Sequence, residues 1–108
     1  MSIVPTDVPM TAELALRLMQ ELAQAYPFLR TEQIASTAFG RPIYAVTIGG
    51  GERRVLYSGV HHANEWLTAT VLLKFIEDYA EAIQSGSAIG GIDARELART
   101  ATISVVPM

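Results

Sequence analysis

Cysteine is absent from this 108-residue sequence, which excludes disulfides, thiolate metal sites and a cysteine nucleophile together. Histidine is almost absent: the chain has two, and they are adjacent, His61 and His62. Charge is sparse as well. Eight basic against eleven acidic residues leave a formal charge of -3, so electrostatics give no case for nucleic acid or an anionic membrane as partner. No uninterrupted apolar run approaches the roughly 18 residues of a membrane span. The opening Met1-Ser2-Ile3-Val4-Pro5-Thr6-Asp7 carries neither the basic region nor the apolar stretch of a signal peptide, so the default expectation is cytoplasmic. Half of the residues are hydrophobic, enough for one domain with a core and too many for disorder.

The apolar periodicity sorts the chain into alternating helices and strands. Thr11 suits an N-cap, with Glu13 in the first turn, and Leu14, Leu18, Met19, Leu22 and Tyr26 then recur on one helical face that ends before Pro27. Residues 33–39 are weakly strand-like, and Gly40-Arg41-Pro42 supplies a turn. The run 43–48 has strong β character, and 55–60 reads as a third strand. Residues 67–83 read as a helix on the spacing of Val71, Leu72, Phe75, Ile76 and Tyr79. A surface loop is expected over 85–91, a short helix capped by Asp93 to Leu97 or Ala98, and a fourth strand over 102–106. Gly49-Gly50-Gly51 lacks the Gly-Lys-Ser/Thr continuation of a phosphate loop and reads as a flexible connection. Arg53 and Arg54 read as solvated charges at the start of the third strand. No internal repeat and no interdomain linker interrupt the series.

The chemistry concentrates where the third strand gives way to the long helix. His62 and Glu65 are three residues apart there, and imidazole nitrogen and carboxylate oxygen are both good zinc ligands. In open α/β sheets, ligands bind beyond the carboxyl ends of strands. The same residues also suit a plain role, His62 as a polar strand end and Glu65 at the positive end of the helix dipole. Taken alone, the two residues favour that plain role.

The surrounding residues shift the balance. His61-His62-Ala63-Asn64-Glu65-Trp66, after Tyr57-Ser58-Gly59-Val60 and before Phe75-Ile76-Glu77-Asp78-Tyr79, closely resembles the zinc carboxypeptidase family. Within it the stretch is most similar to bacterial endopeptidases that cut γ-D-glutamyl-L-diamino acid bonds in peptidoglycan peptides. Tyr26-Pro27 after the first helix, and Gly40-Arg41-Pro42-Ile43 leading into a strand that ends Ile48-Gly49, carry the resemblance further.

The resemblance implies an α/β fold, the N-terminal portion of a mixed-sheet domain. In it the fourth strand lies between the second and third, antiparallel to the second and parallel to the third. Loop length alone would instead pair the second and third strands as a hairpin. The resemblance further implies one zinc, with His62 and Glu65 as two of its three protein ligands and an open position for water. The remaining histidine and a glutamate general base would come from beyond residue 108. Asn64 is the implied substrate contact. It departs from the arginine of digestive carboxypeptidases and agrees with the His-Ala-Asn-Glu form of the peptidoglycan-directed members. Trp66 is expected to pack under the metal loop, and His61 to take a supporting or surface role.

The resemblance covers nearly the whole chain but only about the first third of such a domain. Residues 1–108 are therefore expected to form one truncated domain, inactive by itself, whose parent enzyme hydrolyses peptide substrates. Two alternatives accompany this reading: a non-catalytic, oligomerising module, and a zinc-dependent deacylase on a similar fold. A homo-oligomer is expected through an apolar edge of the third strand.

Overall fold

The Thr11 side chain accepts the backbone N–H of Leu14 at 3.1 Å, and this cap starts helix α1, Ala12–Ala25. The computed structural model describes residues 3–36, 38, 40, 42–59 and 66–107, without the side chain of Trp66. Strands β1 (Arg30–Ser36), β2 (Pro42–Gly49) and β3 (Arg53–Ser58) follow, then helix α2 (Trp66–Ser85). The chain closes with short strands β4 (Ala88–Ile89) and β5 (Ile92–Asp93), helix α3 (Ala94–Thr100) and strand β6 (Ala101–Val106).

The main sheet has the order β1-β2-β6-β3. β6 runs antiparallel to β2, with Val46 opposite Val105, and parallel to β3, with Val55 opposite Ile103. The last strand thus separates two strands that are neighbours in sequence, as the resemblance implies. The hairpin suggested by loop length does not form.

The link between β2 and β3 explains how so short a connection avoids a hairpin. Its ends lie two strand spacings apart, roughly 10 Å, well within the reach of four extended peptide units at about 3.5 Å each. To make the crossing it must pass over the start of β6 at close range. The Gly50 N–H donates to the Ala98 carbonyl at 2.9 Å, and the Thr102 hydroxyl donates to the Gly51 carbonyl at 2.7 Å. A Cβ on Gly51 would lie 1.8 Å from the Thr100 carbonyl carbon, and one on Gly49, whose φ is +89°, 2.3 Å from the Ala101 oxygen. The expected flexible connection is therefore a packed crossing that admits only glycine at these two positions.

Alternation along the strands sends Val46, Ile48, Ile103 and Val105 into one core with Leu18 and Leu22 of α1 and Leu73 and Ile76 of α2. On the opposite face the hydroxyls of Thr47 and Ser104 meet at 2.9 Å. Several boundaries move from their sequence expectations. β1 starts at Arg30, because its pairing with Thr47 of β2 outweighs its weak intrinsic preference. The expected loop over 85–91 folds back as the β4–β5 hairpin, with Gly90 and Gly91 at positive φ. Asp93 caps α3 by accepting from the N–H groups of Arg95 and Glu96, and that helix runs on to Thr100.

Candidate metal and peptide site

β3 and β6 are parallel and in register, Ser58 beside Val106, so their carboxyl ends finish at one edge of the sheet. The Gly59 N–H continues the ladder by donating to the Val106 carbonyl at 2.9 Å. Gly59 is also where the departing strand touches the helix that follows. A Cβ there would meet Leu72 Cδ1 and the Pro107 carbonyl oxygen at 3.0 Å and the Thr68 hydroxyl at 3.1 Å. Glycine lets the strand leave against the first turns of α2, which begins at Trp66. Six residues, 60–65, bridge these fixed points, and Glu65 immediately precedes the first helical residue.

His61, His62, Asn64 and Glu65 lie outside the described residues, as does the side chain of Trp66. The structure frames the segment that carries them, at the carboxyl end of a strand and the amino end of a 20-residue helix. Among the described residues no group of three or more His, Asp or Glu side chains could hold a metal. No helix among them is long and apolar enough to cross a membrane. Beside the strand end, a groove of about 280 Å³ is lined by Tyr57, Ser58, Leu67, Thr68, Val71 and Leu72.

The sequence presents Glu77, midway along α2, only as part of the family-like stretch Phe75-Ile76-Glu77-Asp78-Tyr79. Its actual surroundings were missed. Glu77 is fully buried and accepts hydrogen bonds from the backbone N–H groups of Ile3 and, at 3.2 Å, Val4. The Lys74 ammonium lies 2.9 Å from the same carboxylate. Burial opposes its charge, but Lys74 and the two N–H groups outweigh that cost and hold the carboxyl below its ordinary value of 4.5. The only signal in the sequence was position. Glu77 falls one residue after buried Ile76 and four after buried Leu73, on the inward side of the helix.

A mixed sheet with helices packed on it, entered at the carboxyl ends of two parallel strands, is the architecture of the carboxypeptidase fold, of which this chain forms the N-terminal part. The family model described as zinc carboxypeptidase matches residues 15–108, and the chain belongs to that family. It is 36% identical over 90 residues to gamma-D-glutamyl-L-diamino acid endopeptidase 1 of Lysinibacillus sphaericus, a match covering 83% of this chain and 23% of that protein. Bovine thrombin-activatable fibrinolysis inhibitor, solved with a tick carboxypeptidase inhibitor, superposes with a TM-score of 0.75 at 14% identity, over 94% of this chain and 31% of that one. Carboxypeptidase A of Helicoverpa armigera gives a TM-score of 0.71 at 18% identity, over 96% and 25%. The chain spans about a quarter of the length of the endopeptidase it matches.

Proposed function

We propose that this chain is the N-terminal part of a zinc-dependent peptidase that hydrolyses γ-D-glutamyl-L-diamino acid bonds in peptidoglycan peptides. The observation that carries the reading is the 36% identity to an endopeptidase named for that bond. The position of residues 60–65 between β3 and α2 supports it, because ligand sites in such sheets gather at the carboxyl ends of strands.

The donor set has the right chemistry for part of a zinc site, with His62 Nδ1 or Nε2 and the Glu65 carboxylate as two ligands. When bound, zinc would lower the pKa of a coordinated water and polarise the scissile carbonyl. Asn64, in the same segment of sequence, would hydrogen-bond a substrate amide or carboxylate. Because His61 adjoins His62 and is read as a supporting residue, the third ligand would be a histidine from beyond residue 108, as the family resemblance implies. A glutamate base would come from the same region.

The test is calorimetric titration of zinc into the chain beside His62→Ala and Glu65→Gln variants. Binding that each substitution weakens supports the reading; binding indifferent to both sinks it. A second role, as a non-catalytic module that assembles through its sheet edge, is favoured by the exposed apolar residues of β3. Val55, Leu56 and Tyr57 are 39%, 66% and 48% exposed.

A further inference from the structure

Residues 3–10 are fastened to the rest of the fold at widely spaced points. They belong to no helix or strand. Val4 and Met10 sink into the core, and residues 6–9 between them are exposed. A groove of about 490 Å³ lies between the stretch from Ile3 to Asp7 and the α1 residues Leu14, Arg17 and Glu21, so the segment is loosely packed beneath. Pro5 and Pro9 each fix one backbone angle, which makes it a stiff strap. Helix α1 can hold without it, since that helix is started by its own cap at Thr11.

The polar fastening is one carboxylate. Glu77 offers its two oxygens to two successive backbone donors, Oε2 to the Ile3 N–H and Oε1 to the Val4 N–H, and the Lys74 ammonium donates to Oε1 at 2.9 Å. An ionised carboxylate accepts at both oxygens. A protonated one becomes a donor at one of them, and there it would face a group that can only donate.

We propose that residues 3–10 form an acid-released latch: protonation of Glu77 frees the strap from α2 while the sheet and both long helices stay folded. The inference does not depend on the metal reading.

Release uncovers the seats of Ile3 and Val4. Helices α1 and α2 keep their own hold on the sheet through Leu18, Leu22, Leu73 and Ile76. Other charged groups face Glu77. On α2 these are Lys74, Asp78 and Glu81, and at the end of α1 Tyr26. Across the groove stand Arg17 and Glu21 of α1, with Asp7 on the strap itself. Lysine, arginine and tyrosine do not titrate in acid. Asp7, Glu21, Asp78 and Glu81 are exposed, whereas Glu77 is fully buried. The closed latch holds the Glu77 carboxyl below its ordinary 4.5. Between that ordinary value and the lowered one, the open fraction therefore grows about tenfold per pH unit; above 4.5 the latch stays shut.

The absence of cysteine lets a nitroxide be placed on Thr6→Cys alone, at an exposed position. The spin label should be immobilised at pH 7 and become mobile as pH falls below 4.5, before the far-ultraviolet circular dichroism changes. Exchange protection of the Ile3 and Val4 amides, corrected for the intrinsic rate, should fall in the same range while that of Val46 and Val105 holds. In Glu77→Gln the side-chain amide donates as the protonated acid would, so the label should be mobile already at pH 7 and insensitive to acid. Asp78→Asn should leave the parent profile unchanged. Mobilisation only together with loss of helical signal, or acid release that persists in Glu77→Gln, would overturn the proposal. Where Glu77→Gln fails to fold, the order of label release and helix loss in the parent, with the Asp78→Asn profile, decides.

Discussion

Glu77, in the middle of α2, accepts a hydrogen bond from the backbone N–H of Val4, 73 residues earlier in the chain. That contact ties the lead-in segment to the helix that follows the candidate metal site. It makes Glu77 a structural carboxylate whose charge is satisfied by Lys74, Ile3 and Val4.

Replacing Glu77 with glutamine keeps the shape and removes the charge. Hydrogen bonds to charged groups contribute about 1.5–3 kcal/mol each, so Glu77→Gln is expected to lower stability by about 2 kcal/mol. Urea unfolding of the parent and variant measures the difference, and equal midpoints would refute the buried-charge role.

The same contact predicts a pH dependence. The folded carboxyl titrates below its ordinary 4.5, so under acid the unfolded chain binds the proton that the native chain refuses. The stabilisation is complete above that ordinary value and is lost as pH falls through the folded one. Lys74 acts in the opposite sense. Its hydrogen bond to Glu77 raises it above 10.5 despite partial burial, so its contribution is complete below 10.5 and lost as pH climbs through the raised value. Unfolding midpoints across pH should fall on both flanks in the parent chain, and the acid flank should flatten in Glu77→Gln.

Gly51→Ala is expected to cost about 3 kcal/mol or abolish folding, because the new Cβ would overlap backbone, which cannot step aside as a flexible side chain can. Gly59→Ala meets contacts of 3.0–3.1 Å, one of them to the movable Leu72 side chain, and should cost about 1 kcal/mol. Thermal or urea unfolding ranks the two, and an innocuous Gly51→Ala would mean that the link does not cross β6 at this range.

His62→Ala and Glu65→Gln should each weaken zinc binding by more than the roughly 10-fold that loss of a supporting group typically costs. The 108-residue chain should show no turnover of a γ-D-glutamyl-L-diamino acid peptide, since a base and oxyanion-stabilising groups each contribute on the order of 10² or more in rate. Turnover abolished by His62→Ala would show that the chain is a complete catalyst.

Helices were the most legible elements, because Thr11 and Asp93 announce their own caps and the apolar spacing of α2 is regular. Strand order was not legible from local pattern. The short link from Gly49 to Arg53 favours a hairpin until the inserted strand is known, and that insertion depends on contacts some 50 residues away in sequence. The resemblance to a family provided what spacing could not. Glu77 stayed hidden for a related reason: its partners are backbone N–H groups of Ile3 and Val4, which leave no mark in the residue types. At the candidate site, the sequence supplies the donors His62 and Glu65, and the structure supplies the strand end at Ser58 and the helix start at Trp66 that frame them.

The glycine crossing over β6 also bears on the order in which the sheet can assemble. While a ribosome is still supplying residues 101–106, β2 and β3 are free to zip together directly, since their three-residue link is long enough for it. Such a ribbon would fill the slot reserved for the last strand and would have to come apart before β6 enters. Joining β2 to β3 through β6 is then a late, cooperative event that waits on β6, as expected where pairings are distant in sequence. In pulse-labelled hydrogen exchange the amides of Val55 and Tyr57, which face β6, should gain protection only together with those of β6. Earlier protection would show that the central slot is held open from the start.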